Sequence, residues 1–185
     1  GIRAYAHAVT VWSNVRTFIY EDMHVLDEAT ANLHNSDIQK QFWHRLHSRK
    51  AQNNNLPAGL AFSEIKFLSC QTRVIYIDED PLYPCSEIIC SIEIKTRNST
   101  SIGKIVIGCH EIVESVAFML EERFLAAHKE VPMPAAIDPY YLIKGLSSYI
   151  SPSISSDTAL RCALLSLQNP DPPSILVEML SSAQK

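Results

Sequence analysis

Two groups of residues in this chain combine side-chain types that could carry out catalysis. The first group is Asp78 and Asp80 followed by Glu93 and Lys95. In a metal-dependent nuclease, carboxylates hold a divalent cation and a lysine stabilises the charge that develops on the phosphate. The simpler interpretation is a half-buried strand whose polar residues alternate with isoleucines. We favour the strand, because a carboxylate–lysine pair on a polar strand face is common.

The second group is Cys109 with His110, which lies between a predicted strand and a predicted helix. The N-terminus of a helix lowers the pKa of a thiol, so Cys109 could act as the nucleophile of a hydrolase, with His110 or His128 as its base. The alternative is a buried structural cysteine. We favour the alternative, because adjacent residues do not necessarily face each other.

The five cysteines are an odd number and contain no C-x-x-C pair. This usage predicts reduced thiols in an intracellular protein, cytoplasmic or nuclear. Cys85, Cys90, Cys109 and His110 form the only loose set of zinc ligands. Because their spacing lacks a second ligand pair, we expect no metal and no cofactor.

The composition excludes several classes of function. Hydrophobic residues make up 46% of the 185 residues and charged residues 19%, as in soluble globular proteins. The net charge of −4 gives no overall attraction to membranes or nucleic acid, although it does not exclude nucleic acid. With 5 glycines, the chain has no glycine-rich loop for phosphate, and no apolar run reaches membrane-spanning length.

The N-terminal region is predicted to be helical, and its apolar stripe either packs on its own domain, which is the simpler interpretation, or binds another chain. Residues 4–32 show the spacing of an amphipathic helix, and we assign residues 1–35 to an N-terminal extension of a domain at 36–185. Ser36 and Gln39 form a capping box for a second, basic helix at 37–50. The residues that we expect to contact a partner are Trp12, Ile19, Met23, Trp43, Arg45 and Arg49.

The middle of the chain changes to a period of two, which indicates strands. The predicted strands are residues 62–70, 73–78, 87–95 and 104–107. Short connections favour an antiparallel meander, since parallel neighbours need long crossovers. The fold class is therefore α+β, with a four-stranded antiparallel meander flanked by N-terminal and C-terminal helices.

The C-terminal part is predicted to be helical again. An apolar stripe predicts a helix at 110–129, and prolines make residues 132–139 irregular. A short helix at 140–149 follows. Asp157 is expected to cap a helix at 158–168, and Pro172 and Pro173 to open the last helix.

Several short segments occur in an order that resembles a known family. They are Ile38-Gln39-Lys40, Tyr83-Pro84, Asn98, Gly103, Tyr149-Ile150-Ser151-Pro152 and Leu164-Leu165-Ser166-Leu167-Gln168 followed by Asn169-Pro170-Asp171-Pro172. Together they resemble the landmarks of the ubiquitin-conjugating fold and its RWD relatives. The resemblance implies that Tyr83-Pro84 turns the chain into the last strand, and that Asn98 matches the asparagine of the family's His-Pro-Asn motif.

The resemblance also locates the family's catalytic cysteine. Counting on from Gly103 gives Val106; counting back from residues 149–152 gives Tyr141, with a helical insertion around 110–148. Neither residue can form a thioester, which requires a thiolate. The resemblance therefore implies a non-catalytic protein-interaction or assembly module. Its expected partner is another protein chain, with ubiquitin or a protein of its pathway as a candidate.

A third function remains open beside the binding module and the two enzymes. The N-terminal helix would expose a large apolar stripe unless it docks on another surface. The chain could therefore be a structural or viral assembly protein that forms homo- or hetero-oligomers through this helix.

Overall fold

The described part of the chain folds as an antiparallel sheet with helices packed on one of its faces. The computed structural model describes residues 56, 60–76, 84–96, 98–131, 135–169 and 171–183. Predictions about the helices at 4–32 and 37–50, and about the extension at 1–35, lie outside these residues. So do the six expected partner contacts Trp12, Ile19, Met23, Trp43, Arg45 and Arg49.

The described sheet has three strands in the order β1–β2–β3, and both pairs are antiparallel. The strands are β1 (Ile65–Tyr76), β2 (Pro84–Lys95) and β3 (Thr100–Ile107), and a 3₁₀ turn at Phe62–Glu64 precedes β1. The predicted α+β class and the antiparallel arrangement are confirmed.

The prediction of four strands is wrong for the described residues. The segments 62–70 and 73–78 were predicted as separate strands, but most of both belongs to the single strand β1. Gln71 and Thr72, taken as a connection because they are polar, pair in register with Ile89 and Ile88. A register shift between Phe67 and Ser69 marks a bulge, which lets one long strand follow the twist of its neighbour.

The central strand β2 supplies the middle of the core. Side chains alternate between the two faces of a strand, so every second residue of β2 points toward the helices. These residues are Ile88, Cys90, Ile92 and Ile94, and all are buried. Ile105 and Ile107 of β3 extend the same face.

Five helices of the described chain follow the sheet. They are α1 (Cys109–Ala127), α2 (Ile137–Tyr140), α3 (Leu142–Ile150), α4 (Ser156–Ser166) and α5 (Pro172–Ser182). The predicted helices at 110–129, 140–149 and 158–168 correspond to α1, α3 and α4. None of the five is long and apolar enough to cross a membrane.

The cap of α4 differs from the prediction. Ser155, not Asp157, is the N-cap, and its Oγ accepts a hydrogen bond from the Thr158 backbone N–H at 3.1 Å. Asp157 lies in the first turn, where its charge still favours the helix N-terminus. The prolines Pro172 and Pro173 open α5 as predicted, because the first turn of a helix needs no donor there.

The helices bury their apolar stripes against one side of the sheet. The buried residues that they contribute to the core include Ile112 and Val116 of α1, Leu142 and Leu146 of α3, Ala163 of α4, and Leu176 and Leu180 of α5. Burying one such leucine or isoleucine contributes about 1.5–3 kcal/mol. Helix α1, which the family resemblance treated as part of an insertion, therefore belongs to the same core as the sheet.

A hydrogen-bonded contact joins β2 to the start of α5. The Ser86 backbone N–H donates to Asp171 Oδ1 at 2.8 Å, and the Ser86 hydroxyl donates to Asp171 Oδ2 at 2.6 Å. Asp171 precedes α5 directly and makes no capping hydrogen bond with its side chain. The contact fixes the position of α5 relative to the sheet, since both carboxylate oxygens are used.

Gly145 allows α3 to approach β1 closely. A Cβ atom at this position would lie 2.1 Å from Cε2 and 2.7 Å from Cζ of the Phe67 ring. Phe67 is buried, so the ring has little space to move away. The glycine is therefore required by packing.

Replacing Gly145 with alanine is expected to lower the free energy of unfolding by about 1–3 kcal/mol, the usual effect of overpacking a filled core. Gly103→Ala is the control, because its Cβ would lie 3.2 Å from the end of the Ile94 side chain, which can shift. Urea unfolding followed by circular dichroism measures both. Equal stability of the two variants would contradict the packing argument.

Replacing Asp171 with alanine is expected to lower the free energy of unfolding by about 1–3 kcal/mol, because the Ser86 N–H and hydroxyl then lose both of their acceptors in a half-buried place. Asp157→Ala is the control, since its ion pairs are exposed and worth less than about 1 kcal/mol. Chemical unfolding curves give the comparison. If Asp157→Ala and Asp171→Ala lower the free energy of unfolding equally, the contact between β2 and α5 contributes no more stability than an exposed ion pair.

Candidate interaction surface

The predicted nuclease residues are only partly described. Asp78 and Asp80 lie outside the described residues. Glu93 and Lys95 share one face of β2 and form an ion pair, with Lys95 Nζ 3.1 Å from Glu93 Oε1. The described residues contain no cluster of three His, Cys, Asp or Glu side chains arranged to hold a metal ion. The nuclease hypothesis stays a prediction.

Cys109 is the first residue of α1 and is 7% exposed. The capping box of α1 places a carboxylate at this helix end: the Gly108 backbone N–H donates to Glu111 Oε2 at 2.8 Å. Glu111 is itself buried. The Glu111 carboxyl group therefore already occupies the helix N-terminus from which a Cys109 thiolate would gain stabilisation. His110 follows in the same turn and is half-buried.

The remaining cysteines are also held within the fold. Cys90 is fully buried, and burial together with the nearby charge of Cys70 raises the pKa of its thiol to about 12. Burial likewise raises the pKa of Cys70, which pairs with Cys90 across the strands, and of Cys162 in α4. Cys85 and Cys90 are five residues apart on β2, so the alternation of the strand directs them to opposite faces.

Of the four landmark residues Tyr83, Pro84, Asn98 and Gly103, two lie within strands of the sheet. Pro84 opens β2, which is the central strand of the described sheet and not its last strand; Tyr83 is outside the described residues. Asn98 lies exposed in the turn between β2 and β3. Thr96 and Ser99 hold this turn through a backbone hydrogen bond of 2.9 Å. Gly103 lies within β3, opposite Ile92.

Both positions that align with the family's cysteine have packing roles. Val106 is 5% exposed in β3. The ring of Tyr141 stacks on Phe62 with centroids 5.5 Å apart and meets the edge of Phe118 at 4.8 Å. Lys144 Nζ lies 5.3 Å from the centre of the Tyr141 ring. Val106 and Tyr141 therefore contribute to the packing of the fold.

A shallow depression lies between α1, α3 and α4, with a volume of about 320 Å³. Its charged side chains form ion pairs between helices. Lys144 of α3 pairs with Glu122 of α1, and Arg123 of α1 pairs with Asp157 of α4 at 2.8 Å. The cations in its lining already have carboxylate partners, and these ion pairs connect the helices. The depression therefore offers little unpaired charge to a ligand.

The second face of the sheet is buried at one end and exposed at the other. At the buried end, the Arg73 guanidinium donates to Glu87 Oε1 from Nη2 at 2.8 Å and from Nε at 3.2 Å. Glu87 is fully buried, and Ile89 and Val106 are buried beside it. At this end, the second face of the sheet is therefore part of the buried interior of the protein.

The exposed end of the same face carries charged side chains from all three strands, and we call it the outer sheet face. It consists of Lys66 of β1, Ser91, Glu93 and Lys95 of β2, and Ile102 and Lys104 of β3. Lys66 is opposite Glu93, Glu93 is opposite Ile102, and Ser91 is opposite Lys104. The register therefore places three lysines around one glutamate and one isoleucine.

The sequence predicted only Glu93 and Lys95 of this surface. Lys66 was placed in a strand without a role, and Ile102 was left outside β3, which was predicted to begin at residue 104. The structure begins β3 at Thr100. The missed signal is the tight turn at Thr96–Ser99, because a hairpin starts its second strand directly after the turn.

Comparison of the chain with protein-family models, with curated proteins and with solved structures found no match. The function therefore rests on the geometry of the chain's own side chains. Among the described residues, that geometry separates thiols held in the interior from a charged surface on the sheet.

Cys90 in the folded protein is expected to react with iodoacetamide on the order of a thousandfold more slowly than an unperturbed thiol at pH 8, because only the thiolate reacts and raising a pKa from 9.0 to about 12 reduces it by that factor. Mass spectrometry of tryptic peptides measures the rate for each cysteine. Cys70, which is half-buried, is the internal comparison, and urea should equalise the rates. Fast labelling of native Cys90 would contradict its burial.

Proposed function

We propose that this chain is a non-catalytic protein-interaction module, similar to an inactive variant of the ubiquitin-conjugating fold. The observation that carries the proposal is the position of all five cysteines. Cys85, Cys90, Cys109 and Cys162 are buried, and Cys70 is half-buried. Transfer of an acyl group as a thioester needs a thiolate that both the donor and the acceptor can reach.

The chemistry of the thiols supports the same conclusion. The raised pKa of Cys90 and of Cys70 keeps both thiols protonated at neutral pH. Cys109 lies at the helix N-terminus that the Glu111 carboxylate already occupies. The two positions that the resemblance assigns to the nucleophile hold Val106 and Tyr141, which pack into the fold.

The binding half of the proposal is supported by the exposed apolar side chains of the sheet. Ile102 is 67% exposed on the β3 edge of the outer sheet face. Val74 and Tyr76 are also exposed, near the C-terminal end of β1. Burial of such apolar side chains against a protein partner would favour association. The proposed partner is another protein chain, with ubiquitin or a protein of its pathway as the candidate that the resemblance suggests.

A thioester assay tests the non-catalytic half of the proposal. The chain is incubated with ubiquitin, an activating enzyme and ATP, and separated on gels with and without reducing agent. No reducible adduct is expected, because no thiol is both ionised and accessible. Cys109→Ser is the matched control: a reducible adduct that this variant loses would overturn the proposal and assign Cys109 as a nucleophile.

A further inference from the structure

The outer sheet face carries a local charge opposite to that of the whole chain. Lys66, Lys95 and Lys104 contribute three positive charges, and Glu93 contributes one negative charge. The complete chain has a net charge of −4. The outer sheet face therefore has a local excess of positive charge although the chain as a whole is negative.

The cross-strand register brings these charges together. Residues directly opposite each other on antiparallel strands have Cβ atoms about 4.5–5.5 Å apart, and diagonal neighbours are about 7–8 Å apart. Lys66 is directly opposite Glu93, Lys95 pairs with Glu93 along the strand at 3.1 Å, and Lys104 is diagonal to it. One carboxylate cannot neutralise three ammonium groups, so the surface keeps a positive excess.

The lysines are available to a partner. Lys66 and Lys104 are exposed, and the Lys95 side chain is 64% exposed. Glu93 is 24% exposed beneath them. Ile102, on the edge strand β3 opposite Glu93, offers an apolar contact beside the charged groups. The surface thus combines lysines from all three strands with an apolar side chain at one edge.

We propose that the outer sheet face binds an extended acidic polypeptide segment in which carboxylate and apolar side chains both lie on the side of the segment that faces the sheet. Carboxylates would pair with the lysines, and an apolar side chain would pack on Ile102. Successive side chains of an extended segment point to opposite sides, so every second residue of the segment makes these contacts. This inference rests on the proposed function and names the chemistry of its partner.

A protein segment fits this surface better than a nucleic acid does. Single-stranded nucleic acids usually stack their bases on aromatic side chains. The outer sheet face instead offers an aliphatic side chain, Ile102, between its lysines. The negative charge of the rest of the chain would also oppose a polyanion that extends beyond the patch.

Fluorescence anisotropy with the full chain tests the proposal. The probe is a fluorescein-labelled 12-residue peptide that repeats Glu-Ser-Val-Ser, so that glutamate and valine lie on the same side of the extended peptide. The two comparison probes are a peptide that repeats Lys-Ser-Val-Ser and a labelled single-stranded oligonucleotide of the same length. The acidic peptide is expected to bind, and its Kd should rise with salt, because exposed charges are screened at a distance of about 10 Å in 0.1 M salt.

Two substitutions locate the binding. Lys104→Glu is expected to raise the Kd of the acidic peptide roughly three- to tenfold, since an exposed charge pair contributes up to about 1 kcal/mol and reversal adds a repulsion. Lys129→Glu changes the total charge equally at an exposed position beyond α1, and should leave the Kd unchanged. Ile102→Ser should weaken binding without changing the salt dependence.

Three outcomes would overturn the inference: tighter binding of the oligonucleotide, equal effects of Lys104→Glu and Lys129→Glu, or no binding of the acidic peptide. Circular dichroism of each variant confirms that it is folded. If peptide binding fails while the thioester assay stays negative, the chain remains a binding module with a partner of different chemistry. A positive thioester assay would instead refute the proposed function itself.

Discussion

The strand β2 is hydrogen-bonded to a neighbouring strand along each of its two edges, and this pairing organises the rest of the structure. Ile88, Ile92 and Ile94 fill the face toward the helices. A central strand can keep its backbone hydrogen bonds only if a strand lies on each side of it, and β1 and β3 provide these partners. The register of β2 then decides which residues of its neighbours enter the core and which face outward.

The helices follow from that register. Once Phe67 of β1 points toward the core, α3 can reach the sheet only where it has no side chain, and Gly145 occupies that place. At the edge of the same interface, Ser86 donates two hydrogen bonds to Asp171, which directly precedes α5. Close packing and one directional contact therefore position two helices on the face of the sheet where Cys90 is buried.

Periodicity predicted the class of the fold because it reports burial directly. The isoleucines of β2 and the apolar stripe of α1 predicted a sheet followed by helices, and Pro172 and Pro173 predicted the start of α5. The continuity of β1 could not be predicted, because Gln71 and Thr72 are polar and they pair with Ile89 and Ile88, which are distant in the sequence. The outer sheet face could not be predicted for a related reason. Lys66, Glu93 and Lys104 belong to three different strands, and only the register of the strands makes them neighbours.

The proposed binding function rests on the difference between the two faces of β2. Cys90, whose pKa is raised by burial, lies on the core face, where an ionised sulfur would lose its hydration. Charged residues of β2 that keep their hydration, Glu93 and Lys95, lie on the opposite face. A partner that approached the exposed end of the sheet would therefore meet ammonium and carboxylate groups, while the sulfur of Cys90 would stay behind the strand. Recognition by charge and shape requires no side chain to leave its place, whereas acyl transfer would require Cys90 to be withdrawn from the core that holds the sheet and helices together.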